Sequence, residues 1–517
     1  MWRLVWPSKP PNCFDRVVIV SYGSANLIIP SGGPALYKGS GGYPASPNFR
    51  YTTMADEQSS IPLHALLSIS FLVIGGGISG LTSAIALRRA GHRVLVLEKG
   101  NGIKNTGESG IHVPANLTKV LFNWGLKDKL LQCGLVSHTM FLTKYTTGEF
   151  LGTQVWEEEV LRETRGEVLL MTHRNLVKVL YDAAISLGAK IRHNAEVVEI
   201  DAAKRQVTLA SGEVLTADAI VGADGPSSLC RKAVMESRDP GKPLGISMYV
   251  ATVQEEYVSK DLFRSDGLKN NDHVLLVAFG SRQFVMSYPM GNGKYSVHFY
   301  TADDVAVGQY GDPPSADLKK LMVNCEPRLL RMAQHAGPAV RVVIKNYTLK
   351  ADWIHETGHL VVIGQAAHPW PGCTIQGSAM AVEDAAVLGK LFSHLSSEDQ
   401  IPDFLSAFQD LRQPRVKQIF PNELASVFFS MLEDGDPQQV QRDEAMRAKH
   451  KSGVSVLDNL DDSPEWDELR TTFNYDCEDE ADDWWLKWGR LREQARSRNP
   501  KTLGTKFVMD VQGGVTN

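Results

Sequence analysis

The pattern of apolar positions along the chain becomes regular from about residue 71. An apolar run over residues 71–74 predicts a buried strand, helical spacing over 81–90 predicts a helix, and a second apolar run over 94–97 predicts another strand. A strand, a helix and a strand within about thirty residues make a βαβ unit. The pattern therefore predicts an α/β fold whose regular part begins with two parallel strands.

A G-x-G-x-x-G motif at residues 75–80 joins the first predicted strand to the helix. Gly75 permits a tight turn, Gly77 lets the backbone approach a pyrophosphate, and Gly80 lets the helix pack closely on the strand. Glu98 ends the second strand, where a carboxylate accepts hydrogen bonds from ribose hydroxyls and favours an adenosine without a 2′-phosphate. The segment predicts a dinucleotide site, but by itself it does not distinguish FAD from NAD.

Two later apolar strands also end in small or polar residues. The first covers residues 218–223 and leads into Asp224-Gly225, and the second covers 360–363 and leads into Gly364-Gln365. A helix predicted over 379–391 follows, and the free N–H groups at its amino terminus suit an anion or a carbonyl oxygen. Since ligands of open α/β sheets bind at the carboxyl ends of the strands, these segments are expected to join the glycine turn in one site.

With these three segments in order, the chain resembles the flavin-dependent aromatic hydroxylases of the salicylate and para-hydroxybenzoate hydroxylase type. It is most similar to the fungal salicylate hydroxylase-like monooxygenases of secondary metabolism. The resemblance covers about residues 71–415. The further stretches that agree are 110–116, 124–126, 173–176, 288–291, 381–385 and the tail pattern 476–488.

The resemblance implies an FAD-dependent monooxygenase that uses NAD(P)H and O2, through a flavin C4a-hydroperoxide, to hydroxylate an aromatic, polyketide-type small molecule. It implies that residues from the three segments, together with Gly110 and Arg174, surround the flavin, and that Asp224-Gly225 also serves the passing NAD(P)H. The residues expected to bind the cofactor are Gly75, Gly77, Gly80, Glu98, Gly110, Arg174, Asp224, Gly225, Gln365 and Ser378.

Two positions depart from the pattern of this family. Gln365 stands where relatives carry an acid that accepts a ribityl hydroxyl, and the predicted strand 245–250 lacks the catalytic His or Arg of relatives. Tyr249 and Tyr288 are therefore the candidates for hydrogen bonding to a substrate oxygen, although tyrosines on strands also serve as sheet packing. Two alternatives to an aromatic hydroxylase stay open: an FAD-dependent epoxidase of a terpenoid or meroterpenoid, and a catalytically impaired flavin-binding protein.

The expected architecture is an FAD-binding Rossmann-like domain with a β-sheet substrate domain and a helical C-terminal tail. The FAD-binding domain is discontinuous, at 66–240 and 341–415. The substrate domain covers 241–340, with a contribution from 135–165, and its sheet is expected to be mixed or mainly antiparallel. The helical tail covers 416–517.

The first sixty residues are rich in proline, glycine and serine and have no sustained period, which predicts a disordered extension over 1–65. A transit peptide and a true start at Met54 are the alternatives considered for this stretch. The apolar run 61–86 contains a histidine and the glycine turn, so a strand, turn and helix explain it better than a membrane span.

Composition narrows the possible partners. Hydrophobic residues make up 43% of the 517 residues, charged residues make up 22%, and the formal net charge is −5, so nothing suggests a nucleic-acid-binding surface. The six cysteines never form C-x-x-C, which argues against structural zinc or a disulfide framework and favours a reducing, cytoplasmic environment. We expect a small-molecule substrate and O2 as partners, no metal and no membrane segment.

Overall fold

The computed structural model describes residues 3–4, 19–20, 64–102, 107–156, 164–235, 240–263, 273–305, 307–347, 352–371, 375–453 and 464–498. The chain divides into two compact units, residues 1–61 and 62–517. In the first unit two short strands, β1 (Arg3–Leu4) and β2 (Ile19–Val20), pair antiparallel. Most of the predicted disordered stretch 1–65, including Met54, lies outside the described residues.

The strands of the second unit form four sheets among the described residues. In chain order they are β3 (Ser70–Ile74), β4 (Arg93–Leu97), β5 (Gly110–Val113), β6 (Leu135–Val136), β7 (Thr139–Lys144), β8 (Phe150–Val155), β9 (Leu169–Thr172), β10 (Lys190–Arg192), β11 (Val197–Asp201), β12 (Gln206–Leu209), β13 (Val214–Thr216), β14 (Ala219–Gly222), β15 (Lys242–Gln254), β16 (Val274–Gly280), β17 (Gln283–Pro289), β18 (Lys294–Ala302), β19 (Val340–Asn346) and β20 (Leu360–Val362).

The helices cover the sheets and form the tail. They are α1 (Ile78–Arg89), α2 (Ala115–Asn123), α3 (Lys127–Cys133), α4 (His173–Ser186), α5 (Leu229–Met235), α6 (Leu318–Leu321), α7 (Pro327–His335), α8 (Gln376–Phe392), α9 (Ile401–Ser430), α10 (Pro437–Lys451), α11 (Pro464–Phe473), α12 (Cys477–Trp484) and α13 (Arg490–Arg498). A short π-helical segment, Trp485–Gly489, joins the last two.

The five-stranded sheet is parallel throughout, in the order β10-β4-β3-β14-β20. Strands β3, β14 and β20 are buried along almost their whole length, which is why they read as continuous apolar runs rather than as an alternating pattern. Helices α1 and α8 pack against each other beside this sheet, with Gly389 of α8 directly against Ala86 of α1. The predicted βαβ unit is present, with its helix starting at Ile78.

The seven-stranded sheet runs in the order β19-β15-β18-β17-β16-β7-β8, and all its pairs are antiparallel except β16 with β7. Tail helices follow α9, which itself continues without a break across position 415, where the sequence placed the start of the tail. The predicted α/β fold class, with a Rossmann-like sheet, a second sheet and a helical C-terminal region, is confirmed.

The described residues contain neither a membrane-spanning helix nor a metal-binding cluster. In that part of the chain no helix has both the length and the apolar character needed to cross a bilayer. No cluster of three or more metal-ligating side chains occurs within the same residues.

Candidate functional site

The glycine turn lies at the carboxyl ends of β3 and β14. Gly75 has a φ of +106° and donates its N–H to Leu97 O at 2.8 Å. A Cβ on Gly75 would overlap the carbonyl oxygen of Ala223, and a Cβ on Gly80 would overlap the carbonyl oxygen of Gly75. The protein itself therefore requires glycine at these two positions, for the turn and for the close approach of α1.

Gly77 is different, because a Cβ added there would meet no protein atom within 4 Å. The residue is the N-cap of α1 and provides no side-chain cap for the N–H groups of the first helical turn. A glycine that no protein contact requires, at an uncapped helix amino terminus, fits the close approach of a pyrophosphate. This is the observation on which the fit of a dinucleotide rests.

Glu98 braces the same turn. One carboxylate oxygen accepts from Gly76 N at 2.7 Å, and the other accepts from Gly100 N at 2.6 Å. A carboxylate offers about four lone-pair sites, so about two remain for ribose hydroxyls. Glu98 is thus placed both to hold the glycine turn and to bind an adenosine ribose.

Asp224 mainly holds its own segment. Its carboxylate accepts from Leu229 N at 2.7 Å and Cys230 N at 3.1 Å, and it also accepts from the hydroxyl of Ser228. These bonds cap the amino terminus of α5. Gly225 follows with a φ of +80° and open space around its Cβ position, so the backbone beside the glycine turn is the part of this segment available to a ligand.

Gly364 and Gln365 form the turn after β20. Gly364 has a φ of +55°, and a Cβ there would overlap the hydroxyl of Ser79 on α1, which brings this turn against the G-x-G-x-x-G segment. Gln365 was expected to hydrogen-bond the ribityl chain. Its amide oxygen instead accepts from Trp370 N at 2.9 Å, so within the described residues its first role is to close its own loop.

The amino terminus of α8 is contacted by Glu423, a residue of α9 that the sequence analysis did not identify. The helix begins at Gln376, earlier than predicted, so Ser378 lies in its first turn and donates to Ile375 O at 3.3 Å. Glu423 of α9 accepts from Ile375 N at 2.6 Å and from Gln376 N at 2.9 Å. Burial raises the pKa of Glu423 despite these two backbone bonds. No sequence signal links residues so far apart along the chain.

Gly110 connects the cofactor region to the seven-stranded sheet. Its N–H donates to Ser296 Oγ at 3.2 Å, and a Cβ on Gly110 would lie 2.7 Å from the ring of Tyr288. Nearby, Arg174 and Lys294 each contact the carboxylate of Glu108 at 2.8 Å. The structure thus brings Gly110 directly onto the sheet, with Arg174 beside it at the surface.

A buried polar cluster faces Gly110 from this sheet. His298 Nε2 lies 3.1 Å from the hydroxyl of Tyr288 and 2.8 Å from Ser296 Oγ. Burial, with a smaller effect from His112, lowers the pKa of His298 to about 4. Burial likewise raises the pKa of the Tyr288 hydroxyl, so both groups are neutral near pH 7. We call Tyr288, Ser296 and His298 the sheet-face cluster.

Tyr249, the other candidate tyrosine, lies outside the sheet-face cluster and on the opposite face of the sheet from Tyr288. Tyr249 pairs with Phe299, and Tyr288 pairs with Ser296. Ser296 and Phe299 are three residues apart on β18, and side chains an odd number of residues apart on a strand point to opposite faces. The Tyr249 hydroxyl donates to Asp303 Oδ2 at 2.8 Å on the far face.

The neighbouring strand β18 carries a histidine, a residue type that the strand 245–250 lacks. His298 lies directly opposite Val250 in the register of β15 and β18. Directly opposed residues share a face of the sheet, so His298 lies on the face of the cluster. The alternation of Ser296, His298 and Tyr300 along β18 was the signal available in the sequence.

Comparisons with known proteins identify the family to which the chain is similar. The family profile described as "FAD binding domain" matches residues 68–423. The chain is 28% identical over 392 residues to the FAD-dependent monooxygenase OpS4 of Beauveria bassiana, covering 74% of this chain and 89% of that protein. It is 27% identical over 390 residues to the 3-amino-4-hydroxybenzoate 2-monooxygenase of Streptomyces cremeus, covering 74% and 92%.

Among solved structures, the fold is similar to that of CtdE in complex with FAD and its substrate. The TM-score is 0.68 at 20% identity, and the match covers 82% of this chain and 100% of CtdE. At this identity the likeness concerns the fold.

Proposed function

The chain belongs to the FAD binding domain family and is an FAD-dependent monooxygenase, and on this premise we propose that it hydroxylates an aromatic substrate with NAD(P)H and O2. When bound, FAD supplies the redox chemistry that activates dioxygen. The residues that would hold it are the glycine turn, Glu98, the backbone at Asp224-Gly225 and the turn at Gly364-Gln365. We further propose a cytoplasmic role in secondary metabolism, in line with the resemblance.

The observation that carries the proposal is the sheet-face cluster. Attack on a phenolic ring is faster when the ring oxygen gives up its proton, so a hydrogen-bond acceptor at that oxygen favours hydroxylation. With a neutral imidazole accepting at Nε2, Tyr288 donates to His298, and the lone pairs of its oxygen can accept from a substrate hydroxyl. Tyr288 would then orient the substrate while His298 holds the tyrosine in its donor geometry.

One relative supports the substrate class. The Streptomyces protein is named for a ring that carries a hydroxyl and an amino group. We transfer to this chain only the class, an aromatic ring with a hydrogen-bonding substituent. The buried, uncharged cluster suits such a substituent better than it suits an isolated alkene.

The test uses the purified FAD-loaded protein with pairs of aromatic compounds that differ only by methylation of one ring hydroxyl. The free phenols are expected to stimulate NAD(P)H oxidation and to yield products one oxygen atom heavier, whereas the methyl ethers are expected to be poor substrates. Equal turnover of both members, or oxygen transfer to alkenes alone, would contradict the proposal. A product of phenol oxidation that lacks a new ring oxygen would also contradict it.

A further inference from the structure

A buried charge network lies directly beneath the turn at residues 364–368. One oxygen of Asp384 accepts from Gly364 N at 2.9 Å and contacts His368 Nε2 at 2.6 Å. The other oxygen accepts from Arg412 Nε at 2.8 Å. Burial would raise the pKa of Asp384, but His368 and Arg412 outweigh it and hold that pKa below its ordinary value. The geometry of a cofactor-side turn therefore depends on an ion pair inside the protein.

A second carboxylate extends the network to the start of α8. Glu383 contacts Arg412 at 2.9 Å and Arg415 at 3.3 Å, and it accepts from Asn116 Nδ2 at 2.8 Å. The same amide also donates to the Gln376 side chain at 2.9 Å. Buried ion pairs repay their desolvation only when further hydrogen bonds satisfy the remaining donors. The two guanidinium groups thus need additional acceptors.

The C-terminal tail supplies those acceptors. Arg412 donates to the hydroxyl of Tyr475 at 3.1 Å. Arg415 donates to Thr471 O at 2.6 Å and to Thr472 O at 2.7 Å, and its guanidinium carbon lies 4.1 Å from the centre of the Tyr475 ring. The Tyr475 hydroxyl in turn donates to Glu480 on α12.

The tail is held in place from its other side by α2. The Lys119 side chain is only 2% exposed, and its ammonium contacts Asp476 Oδ2 at 3.0 Å and donates to Tyr475 O at 3.2 Å. Trp124 donates to Glu478 Oε1 at 3.1 Å. A buried ammonium needs such partners, so the docking of residues 475–478 is specified by charge as well as by packing.

We propose that tail residues 471–478 position the FAD-side turn at 364–368, acting through Arg412 and Asp384. Tyr475 is the key positioning residue, because its hydroxyl joins the tail to Arg412. These residues lie beyond position 423, where the match to the family profile ends. The inference rests on FAD binding and not on the aromatic substrate, so its failure would leave the hydroxylation proposal untouched.

The experiment compares Tyr475→Phe, Lys119→Met and Asp482→Asn in the full chain. Tyr475→Phe keeps the ring over Arg415 and removes only the hydroxyl. Asp482 lies on the same tail, but its ion pair with Lys390, at 2.8 Å, is half-exposed and outside the network, so it is the matched control. The readouts are the dissociation constant of FAD, the visible flavin spectrum and the thermal midpoint without FAD.

We expect Tyr475→Phe and Lys119→Met to raise the FAD dissociation constant by about threefold to tenfold and to shift the flavin spectrum. Lys119→Arg should restore much of the affinity, and Asp482→Asn should bind FAD like the wild type. A tail that only stabilises the fold would lower the thermal midpoint while the FAD dissociation constant and the spectrum stay unchanged. That result in both Tyr475→Phe and Lys119→Met would overturn the proposal.

Discussion

The cofactor edge of the parallel sheet and the face of the seven-stranded sheet are built by opposite means. At the cofactor edge, the decisive features are backbone conformations and missing side chains, such as Gly75 with its positive φ and Gly77 with its open Cβ position. At the sheet face, the decisive features are side chains from different strands, Tyr288 and His298, brought together by strand register.

The difference has a physical origin. A phosphate is recognised by N–H groups of a single turn, so its site is encoded within a few consecutive residues. A substrate ring is recognised by groups converging from several strands, and a shift of one residue in register would turn each of them to the other face. A site formed by one turn and a site formed by several strands in register are therefore expected to respond differently to mutation.

The largest effect is expected at the glycine turn. Substitutions of Gly77 and Gly80 there are expected to distinguish a loss of FAD affinity from a loss of unfolding free energy. Gly80→Ala forces a methyl group into the Gly75 carbonyl, and we expect a loss of about 3 kcal/mol of unfolding free energy and a colourless protein. Gly77→Ala meets no protein atom within 4 Å, so it should fold normally and still lose FAD affinity, by about a hundredfold. Flavin titration together with urea unfolding of the FAD-free proteins measures both.

Two outcomes for Gly77→Ala, compared with Gly80→Ala, would contradict this prediction. If Gly77→Ala binds FAD like the wild type, the first turn of α1 does not receive the pyrophosphate. If Gly77→Ala instead unfolds as easily as Gly80→Ala, its requirement for glycine is structural after all.

The next largest effect is expected on the sheet face. Tyr288→Phe removes the hydroxyl that the substrate oxygen is proposed to meet, and we expect kcat for hydroxylation to fall by about a hundredfold with FAD affinity unchanged. Tyr249→Phe is the control, because its hydroxyl bonds Asp303 on the opposite face. Comparable losses of kcat in both variants would show that face orientation does not decide function.

The two regions also differ in how far the sequence alone could predict them. The first βαβ unit, the glycine turn and the position of Glu98 were predictable because each depends on neighbouring residues and on the period of the apolar positions. The face of Tyr249, the partnership of His298 and the position of Glu423 were not, because they depend on register or on contacts between distant segments. Tyr475 belongs to the same class, since only the packed tail brings it to Arg412.

A third prediction concerns the stability of the sheet-face cluster against acid. His298 has a pKa of about 4 in the folded protein against 6.5 for an exposed histidine, so between these values the unfolded state binds the extra proton. Unfolding free energy should therefore fall as pH drops from about 6.5 towards 4, by about 1.4 kcal/mol per pH unit for each such histidine.

His112, whose pKa burial also lowers to about 4, and His92 add to the same slope. The check is a series of urea unfolding curves across this pH window for the wild type and His298→Gln. The variant should lose less stability on acidification, by the contribution of about one proton. Parallel curves would mean that His298 is already protonated, or exposed, in the folded protein.

The smallest effect is expected at Glu423, an acid of α9 that contacts the cofactor edge of the parallel sheet. Its carboxylate holds the N–H groups of Ile375 and Gln376 at the amino terminus of α8. The sequence predicted free N–H groups at the start of this helix, suited to an anion or a carbonyl oxygen. Each N–H donates one strong bond at a time, so a cofactor oxygen bound at this helix start would compete with Glu423 for them. Hydrogen bonds to a carboxylate are roughly twice as strong as those to a neutral amide, so Glu423→Gln should weaken the competitor without removing it. We expect the FAD dissociation constant of Glu423→Gln to fall by about threefold to tenfold, as measured by flavin fluorescence. The control variant is Glu433→Gln. Glu433 is an exposed acid just after α9, and its ion pair with Arg282 lies outside this contact. An unchanged or weaker affinity in Glu423→Gln would mean that the amino terminus of α8 is not contested and that side chains take no part in the competition at this edge.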